Sequence, residues 1–217
     1  MKKLKVPYVP ELDNIDIQHV SDIMETKALR QVIDVVNWTD FPYKPIVIFD
    51  IARSDKNLYI NFFVRGLSLK ATAGEDGDFV HTDSCVEFFM RGEDNAVGYT
   101  NFEFNCRGIC HAARGASRNG RIRFAPNEYD KIMRCSSVKC DSFPEKKGIF
   151  SWELAVAIPF ELMGFDAKNL PEKFFGNFYK CADETENPHF LSWNPIPLPA
   201  PDFHCPDYFG EIIMRLS

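Results

Sequence analysis

The chain has 217 residues, of which 45% are hydrophobic and 26% are charged, and its formal net charge is −6. The negative charge argues against nucleic acid as a partner, because neutralising phosphates requires clustered Lys and Arg. No run approaches the roughly 18 apolar residues that predict a membrane span. A chain of this size fits one all-β domain, since such domains commonly reach about 200 to 250 residues.

The N-terminus and the cysteines bear on the cellular compartment. Lysines at positions 2 and 3 resemble the start of a signal peptide, but no apolar segment follows, so we expect a cytoplasmic protein unless a leader was removed. No CxxC motif occurs, which disfavours zinc-ribbon and thioredoxin-like folds and predicts free thiols. The seven cysteines are Cys85, Cys106, Cys110, Cys135, Cys140, Cys181 and Cys205.

In chain order, the first element predicted is a helix over residues 16–33, and a second, short helix is predicted over residues 159–165. Most other segments alternate between apolar and polar residues with a period of two, which is typical of strands. These segments are 45–54, 56–66, 83–90, 99–108, 109–115, 121–125, 131–140, 149–159, 176–183 and 209–216. The pattern predicts an all-β fold, an antiparallel β-sandwich or jelly roll with minor short helices. We expect one domain over residues 1–217, with residues 1–29 as an N-terminal extension packing on it.

Residues 191–209, LSWNPIPLPAPDFHCPDYF, precede the last predicted strand and combine five prolines with several rings. Proline fixes the backbone and removes a hydrogen-bond donor, so this loop is predicted to be a rigid platform. Its rings would serve either as a binding face or as a hydrophobic lid on the core.

The order of several motifs indicates a family. KNLYINFFV is followed by DSCVEFFM, YTNFEFNCRG, FSWELAVAIPFELMG and GNFYKCADE, and then by SWNPI and FHCPDYFGEIIM. Over roughly residues 30–217 this series resembles the family 9 carbohydrate-binding modules and their DOMON-like relatives. The resemblance implies a β-sandwich that binds sugar, often at chain ends, between aromatic rings and a few charged groups. Such modules are often appended to glycoside hydrolases, and some hold structural calcium.

The resemblance also suggests site residues. Two rings sandwich a sugar in the family; the later one corresponds to Trp193, and the earlier one corresponds to His81, where better-known members have Trp. Glu87 matches a carboxylate that binds sugar hydroxyls, and Glu103 stands where other members can carry Arg. His204 matches a histidine of the family pattern, and we expect it to brace the loop rather than to contact ligand.

Arg114 completes the predicted site as a third polar side chain that would bind the ligand, beside the two glutamates. Asp83 and Glu87 share one side of a strand, and two carboxylates there need a partner. That partner is either a ligand, a metal or a basic side chain such as Arg114 or Lys180. Most surface arginines are merely solvated, so this assignment rests on the site as a whole.

The tryptophans have alternative interpretations. Trp193 either binds ligand or plugs one end of the sandwich. Trp152 alternates with apolar residues and is expected in the core. Trp38 lies in a turn-rich stretch, and the sequence does not decide between ligand binding and a structural role for it.

Two further kinds of chemistry are compatible with the sequence. Glu87 and Glu103 could form the carboxylate pair of a glycan hydrolase if they faced each other across a cleft. His81, Asp83, His111 and His204 are potential metal ligands but are dispersed, and residues 74–79, GEDGDF, could hold structural calcium although a solvated turn is the simpler interpretation.

The sequence therefore predicts non-catalytic binding of a mono- or oligosaccharide in support of glycan degradation. We expect no cofactor apart from structural calcium and no catalytic or metal-binding residue, and a glycoside hydrolase is a candidate partner. The alternatives are a hydrolase that uses the paired carboxylates and a protein-interaction module with an aromatic face.

Overall fold

The computed structural model describes residues 1–93 and 98–214. The described residues form two β-sheets, two short α-helices and several single turns of 3₁₀ helix. The α-helices are α1 (Val20–Lys27) and α2 (Pro126–Tyr129). The strands are β1 (Lys3–Lys5), β2 (Leu29–Val32), β3 (Val35–Val36), β4 (Ile46–Arg53), β5 (Asn57–Ala71), β6 (Cys85–Arg91), β7 (Tyr99–Asn105), β8 (Cys110–Gly115), β9 (Ile122–Arg123), β10 (Met133–Ser136), β11 (Phe143–Pro159), β12 (Lys173–Cys181), β13 (Phe190–Ser192) and β14 (Gly210–Ile213).

The two sheets pack face to face as a β-sandwich, as the sequence predicted. The large sheet runs β1-β14-β12-β6-β7-β8-β9, with β13 and β3 added beside β12. The small sheet runs β10-β11-β5-β4-β2. Among the strands described, all pairings are antiparallel except that of β1 with β14, and one isolated parallel bridge joins Tyr8 to Arg53. None of the helices in the described ranges is long and apolar enough to cross a membrane.

Alternating side chains explain why the sheets stack. On β6, Val86, Phe88 and Met90 point inward and belong to the core between the sheets. Phe178 from β12 stacks on Phe49 of the small sheet with ring centroids 4.0 Å apart, and on Phe88 at 4.9 Å. These contacts join the two sheets through aromatic rings.

The outer face of the large sheet is also covered. Cys85 and Phe89 of β6 and Tyr179 of β12 form a second apolar cluster with Trp38 and Phe203 from the loops. Since the loop that follows β13 lies over this face, β6 and β7 are buried on both sides. This second layer is where the strands and the proline-rich loop meet.

The structure differs from the sequence prediction at several element boundaries. The helix predicted over residues 16–33 contains only α1 after a 3₁₀ turn, because Leu29–Val32 pair with β4 as a strand. Lys3–Lys5 of the predicted N-terminal extension pair with β14, so part of that segment belongs to the large sheet. Segment 159–165 forms a 3₁₀ turn over Phe160–Met163. The last strand ends at Ile213, and residues 215 and 216 of its predicted range lie outside the described residues.

Candidate functional site

A cavity of about 230 Å³ opens on the outer face of the large sheet, beneath the proline-rich loop. Strands β6, β7, β8 and β12 form its base, and loops form its walls. The lining residues are Phe79, His81, Glu87, Glu103, His111, Arg118, Asn119, Arg121, Cys181, Asp183, Phe190, Pro201, Asp202, Phe203 and His204. Carboxyl groups, basic side chains and aromatic rings therefore converge on one space, as is usual for small-molecule sites.

Two glutamates lie side by side at the base of the cavity. In the sheet register, Glu87 on β6 is directly opposite Glu103 on β7 and Tyr179 on β12. Side chains directly opposite each other share a face of the sheet. Both glutamates are buried apart from their access to the cavity. The two carboxyls thus belong to one wall and do not face each other across the cleft.

Burial determines the protonation of the acidic groups. Burial, reinforced by the nearby charge of Glu103, raises the pKa of Glu87 well above its usual value. Burial also raises the pKa of Glu103 against the opposing effect of Arg121, and it raises the pKa of Asp183 against that of His81. A protonated carboxyl both donates and accepts hydrogen bonds, whereas a carboxylate only accepts. The base of the cavity is therefore suited to ligand hydroxyl groups, which also do both.

Neighbouring side chains hold the two glutamates in place. Cys181 Sγ donates a hydrogen bond to Glu87 Oε1 over 3.1 Å, and Cys85 Sγ lies 3.8 Å from the same oxygen. Asn101 Nδ2 donates to Glu103 Oε1 over 3.0 Å, and Arg121 donates to the Asn101 side chain. Burial raises the pKa of the Cys85 thiol to about 12 and also raises that of Cys181. Both thiols are therefore neutral donors at ordinary pH.

One wall of the cavity carries three rings. Phe79 is 59% exposed at the mouth, with its centroid 5.7 Å from that of His81 and 5.5 Å from that of His111. The Arg123 guanidinium lies 4.9 Å from the Phe79 centroid. The His111 ring is hydrogen-bonded through Nδ1 to the Gly77 carbonyl over 3.0 Å. An exposed ring beside a polar cavity offers a face on which the C–H groups of a sugar can pack.

The proline-rich loop forms the opposite wall. Phe203 stacks on Tyr179 with centroids 4.1 Å apart and an interplanar angle of 6°. The Tyr99 hydroxyl is hydrogen-bonded to His204 Nδ1 over 2.8 Å, and burial lowers the pKa of His204 to about 3. These contacts fix the loop against β7 and β12, so the wall is formed before any ligand binds.

Comparison with known proteins identifies the family. The model of carbohydrate-binding family 9 matches residues 18–214. The chain belongs to this family. No curated protein gave a significant match.

Solved structures of family 9 and related proteins resemble this chain along its length. A protein from Bacteroides uniformis ATCC 8492 that has been proposed to bind carbohydrate is 36% identical, with a TM-score of 0.92 and 99% of each chain covered. A family 9 module from Caldicellulosiruptor kristjanssonii in complex with cellotriose is 11% identical, with a TM-score of 0.60, covering 99% of this chain and 94% of that one. A structure from the same organism with glucose is 13% identical, with a TM-score of 0.57 and coverages of 99% and 96%. At these lower identities the likeness shows the fold alone.

The cavity brings together four of the six site residues predicted from the sequence. His81, Glu87, Glu103 and His204 all line it. His204 also braces the loop through Tyr99, as expected. Contact of these residues with a sugar stays a prediction.

The expectation that Trp193 forms a wall of the site is wrong. Its side chain is fully buried in the core between the sheets, where it meets Phe178 edge-on at 5.8 Å. The indole nitrogen donates to Gln31 Oε1 over 3.1 Å. Leu191 and Trp193 point inward, whereas Phe190, one position out of phase, lines the cavity. Of the two interpretations of Trp193, the structural one is therefore correct.

The prediction that Arg114 belongs to the site is also wrong. His111 on β8 points into the cavity, and Arg114, three positions later, points to the opposite face because side chains alternate along a strand. Arg114 forms an ion pair with Glu128 over 2.7 Å and lies 4.2 Å from the Phe124 ring centroid. It stabilises the edge of the sheet away from the cavity.

The remaining tryptophans and Asp83 are structural. Trp152 is buried in the main core, as expected, and Trp38 is buried in the second cluster, where its indole nitrogen donates to the Leu198 carbonyl. The Asp83 carboxylate accepts hydrogen bonds from Thr72, Ala73 and Asn105. It is therefore bound to the neighbouring strands and does not share the base of the cavity with Glu87.

The loop 74–79 is organised by its own carboxylates. Asp76 forms a bidentate ion pair with Arg134 at 2.7 and 2.8 Å. Asp78 accepts hydrogen bonds from the backbone of Gly74 and Glu75. This pattern favours a braced turn, and calcium binding there stays a prediction.

Several lining residues were not predicted from the sequence. Arg121, Asp183 and Phe203 approach the cavity from three separate segments. Alternation could have revealed two of the lining residues. His111 lies opposite Glu103 on the neighbouring strand, and Asp183 lies two positions after Cys181. The loop residues carry no periodic signal, because their direction depends on how the loop folds over Tyr179.

Proposed function

We propose that this protein binds carbohydrate non-catalytically in the cavity on the outer face of its large sheet. The observation that carries the proposal is the pair of buried glutamates at the base of a cavity with aromatic side chains on two opposite walls. Glu87 and Glu103 would bind sugar hydroxyls, while Phe79 and His81 on one side and Phe203 on the other would contact the ring faces.

The charged groups at the mouth fit such a ligand. Arg118 and Arg121 line the cavity, and Arg118 lies 3.8 Å from Asp202. Forked donors and acceptors of this kind bind neighbouring hydroxyls on a sugar edge. Membership of family 9 supports carbohydrate as the ligand class, and the related modules crystallised with cellotriose and glucose make gluco-configured sugars the first ligands to test.

The same reasoning leads to a biological role. A binding module without catalytic residues would hold a glycan near an enzyme that degrades it, so we infer that the protein supports glycan degradation beside a glycoside hydrolase. The side-by-side arrangement of Glu87 and Glu103 supports binding over hydrolysis, since hydrolysis places its two carboxyls on either side of the scissile bond.

Calorimetric titration tests the proposal. The wild-type protein would be titrated with glucose, cello-oligosaccharides and a panel of other mono- and oligosaccharides, alongside the nearly isosteric Glu87→Gln and Glu103→Gln variants. Glu161→Gln, at an exposed carboxylate paired with Lys131 on the turn after β11, is the matched control. We expect saturable binding in the wild type and the control, weakened at least about tenfold in the two cavity variants because each loses a hydrogen-bonding group in a buried site. Binding that is equal in all four proteins would refute the proposed site.

A further inference from the structure

Three potential metal ligands lie together at the base of the cavity. Cys85, Glu87 and Cys181 each place a sulfur or oxygen atom within 4.8 Å of the others. Two of them, Glu87 and Cys181, line the cavity and are reachable from it. The sequence did not predict a metal site here, because Cys85 and Cys181 are far apart in the chain and belong to no metal-binding motif.

The sheet register produces this arrangement. Cys85 on β6 is directly opposite Cys181 on β12, and Glu87 follows Cys85 on the same face. Adjacent strands place opposed side chains close together, so two thiols and a carboxyl converge without any loop. Strand-borne ligands are held more rigidly than loop-borne ones, which favours a defined coordination geometry.

The distances suit a tetrahedral ion. With Zn–S bonds of about 2.3 Å and Zn–O bonds of about 2.1 Å, a tetrahedral site has S···O edges of about 3.6 Å. The observed distances from Glu87 Oε1 are 3.1 Å to Cys181 Sγ and 3.8 Å to Cys85 Sγ. Shifts of about 0.5 Å or less in side-chain position would reach the ideal values.

Acidic side chains surround the three ligands, in a cavity that Arg118 and Arg121 also line. Glu87, Glu103 and Asp183 share the cavity, and within the described ranges no Lys, Arg or His nitrogen lies within 4.0 Å of their carboxyl oxygens. One oxygen of Asp183 is buried without a hydrogen-bond partner among the described residues. Buried acidic groups without a compensating cation are costly.

We propose that Cys85, Cys181 and Glu87 form a three-ligand site for a thiolate-preferring divalent cation of the Zn²⁺ class at the base of the cavity. The fourth coordination position faces the cavity, where water or a ligand oxygen can occupy it. Binding releases the two thiol protons to solvent, because thiolates and not thiols ligate the metal. The metal site shares Glu87 with the proposed sugar site, but its three ligands lie together whether or not a sugar binds.

A cobalt titration of the reduced full chain tests this site. Co²⁺ bound by thiolates shows sulfur-to-metal charge-transfer absorption, so the probe reports the ligand type directly. We expect one equivalent to develop this absorption and Zn²⁺ to abolish it by displacement. Cys85→Ser and Cys181→Ser should lose the absorption, and Glu87→Gln should weaken binding at least about tenfold. Cys140→Ser, at an exposed cysteine, is the matched control and should behave as the wild type.

X-ray absorption of the zinc-loaded wild type gives a second readout that needs no variant. Two sulfur neighbours at about 2.3 Å would support the site. Only oxygen or nitrogen neighbours, no charge-transfer absorption, or absorption unaffected by Cys181→Ser in a folded protein would overturn it. A disulfide between Cys85 and Cys181 that persists in the reductant, detected by intact mass, would also overturn it.

Discussion

Trp193 shows how the direction of one side chain along a strand decides its role. It follows β13 in phase with Leu191, which points into the core, and out of phase with Phe190, which lines the cavity. The same alternation separates Arg114 from His111 on β8. At the residue scale, the face of the sheet decides whether a side chain can contact ligand.

The burial of Trp193 predicts that its replacement affects stability and not binding. Trp193→Phe removes part of a fully buried ring and the donor to Gln31, so the free energy of unfolding should fall by about 1 to 3 kcal/mol. Sugar affinity measured by calorimetry on the folded variant should stay within about twofold of the wild type. Unchanged stability in a denaturant titration, or a selective loss of affinity, would contradict the core assignment.

The burial of His189 predicts that the folded protein loses stability in acid. It is buried against Tyr43, its ring is hydrogen-bonded to the Asn187 carbonyl, and burial with the nearby charge of Lys180 lowers its pKa to about 3. The unfolded chain, with a histidine pKa of about 6.5, binds a proton that the folded chain rejects, so stability decreases as pH falls through the window from about 6.5 to 3.

The size of this effect follows from the same two pKa values. His189 alone should remove up to about 2 kcal/mol between pH 7 and pH 5. Denaturant titrations at several pH values should therefore show a flatter acid dependence for His189→Gln than for the wild type. Parallel pH profiles for the two proteins would show that His189 is not the titrating group.

At the scale of elements, the pairing of β12 with β14 beneath Trp193 depends on two opposed glycines. Gly176 pairs with Gly210, and a Cβ added at Gly210 would lie 2.3 Å from the Trp193 ring and 3.0 Å from the Lys2 carbonyl oxygen. Gly210→Ala should therefore cost about 1 to 3 kcal/mol of unfolding free energy by overpacking.

Gly74→Ala is the matched control for this change. A Cβ there would meet nothing closer than 3.9 Å, so its effect should stay within about 0.5 kcal/mol. Thermal or denaturant unfolding of the two variants checks the difference. Equal stabilities of the two variants would mean that the β12–β14 pair tolerates a larger residue at position 210.

The strands could be predicted from the sequence because alternate side chains pack into two different layers. The loops could not be predicted in this way. Segment 83–90 covers all of β6 but its last residue, and segment 99–108 contains β7, whereas only the register of the two strands shows that Glu87 and Glu103 share one face. The helix predicted over residues 16–33 was too long because strand pairing of Leu29–Val32 outweighs local helical periodicity. The aromatic wall was assigned to Trp193 through the family resemblance, and Phe203 was missed because periodicity carries no information on how an irregular loop packs.

At the scale of the whole molecule, one sheet has two packed faces with different tasks. Its inner face joins the small sheet through Phe49, Phe88 and Phe178, and its outer face supports the cavity and the proline-rich loop. The inner core supplies rigidity, so the cavity groups are held in place without ligand. Such preorganisation lowers the entropic cost of binding.

The crystal structure of the protein with a sugar found by titration tests the central claim most directly. We predict the sugar in the cavity, hydrogen-bonded to Glu87 and Glu103, with ring contacts to Phe79 or Phe203. The small sheet offers an alternative location, a surface depression lined by Ile46, Ile48 and Phe63. A sugar bound there, or anywhere else away from the two glutamates, would contradict the account.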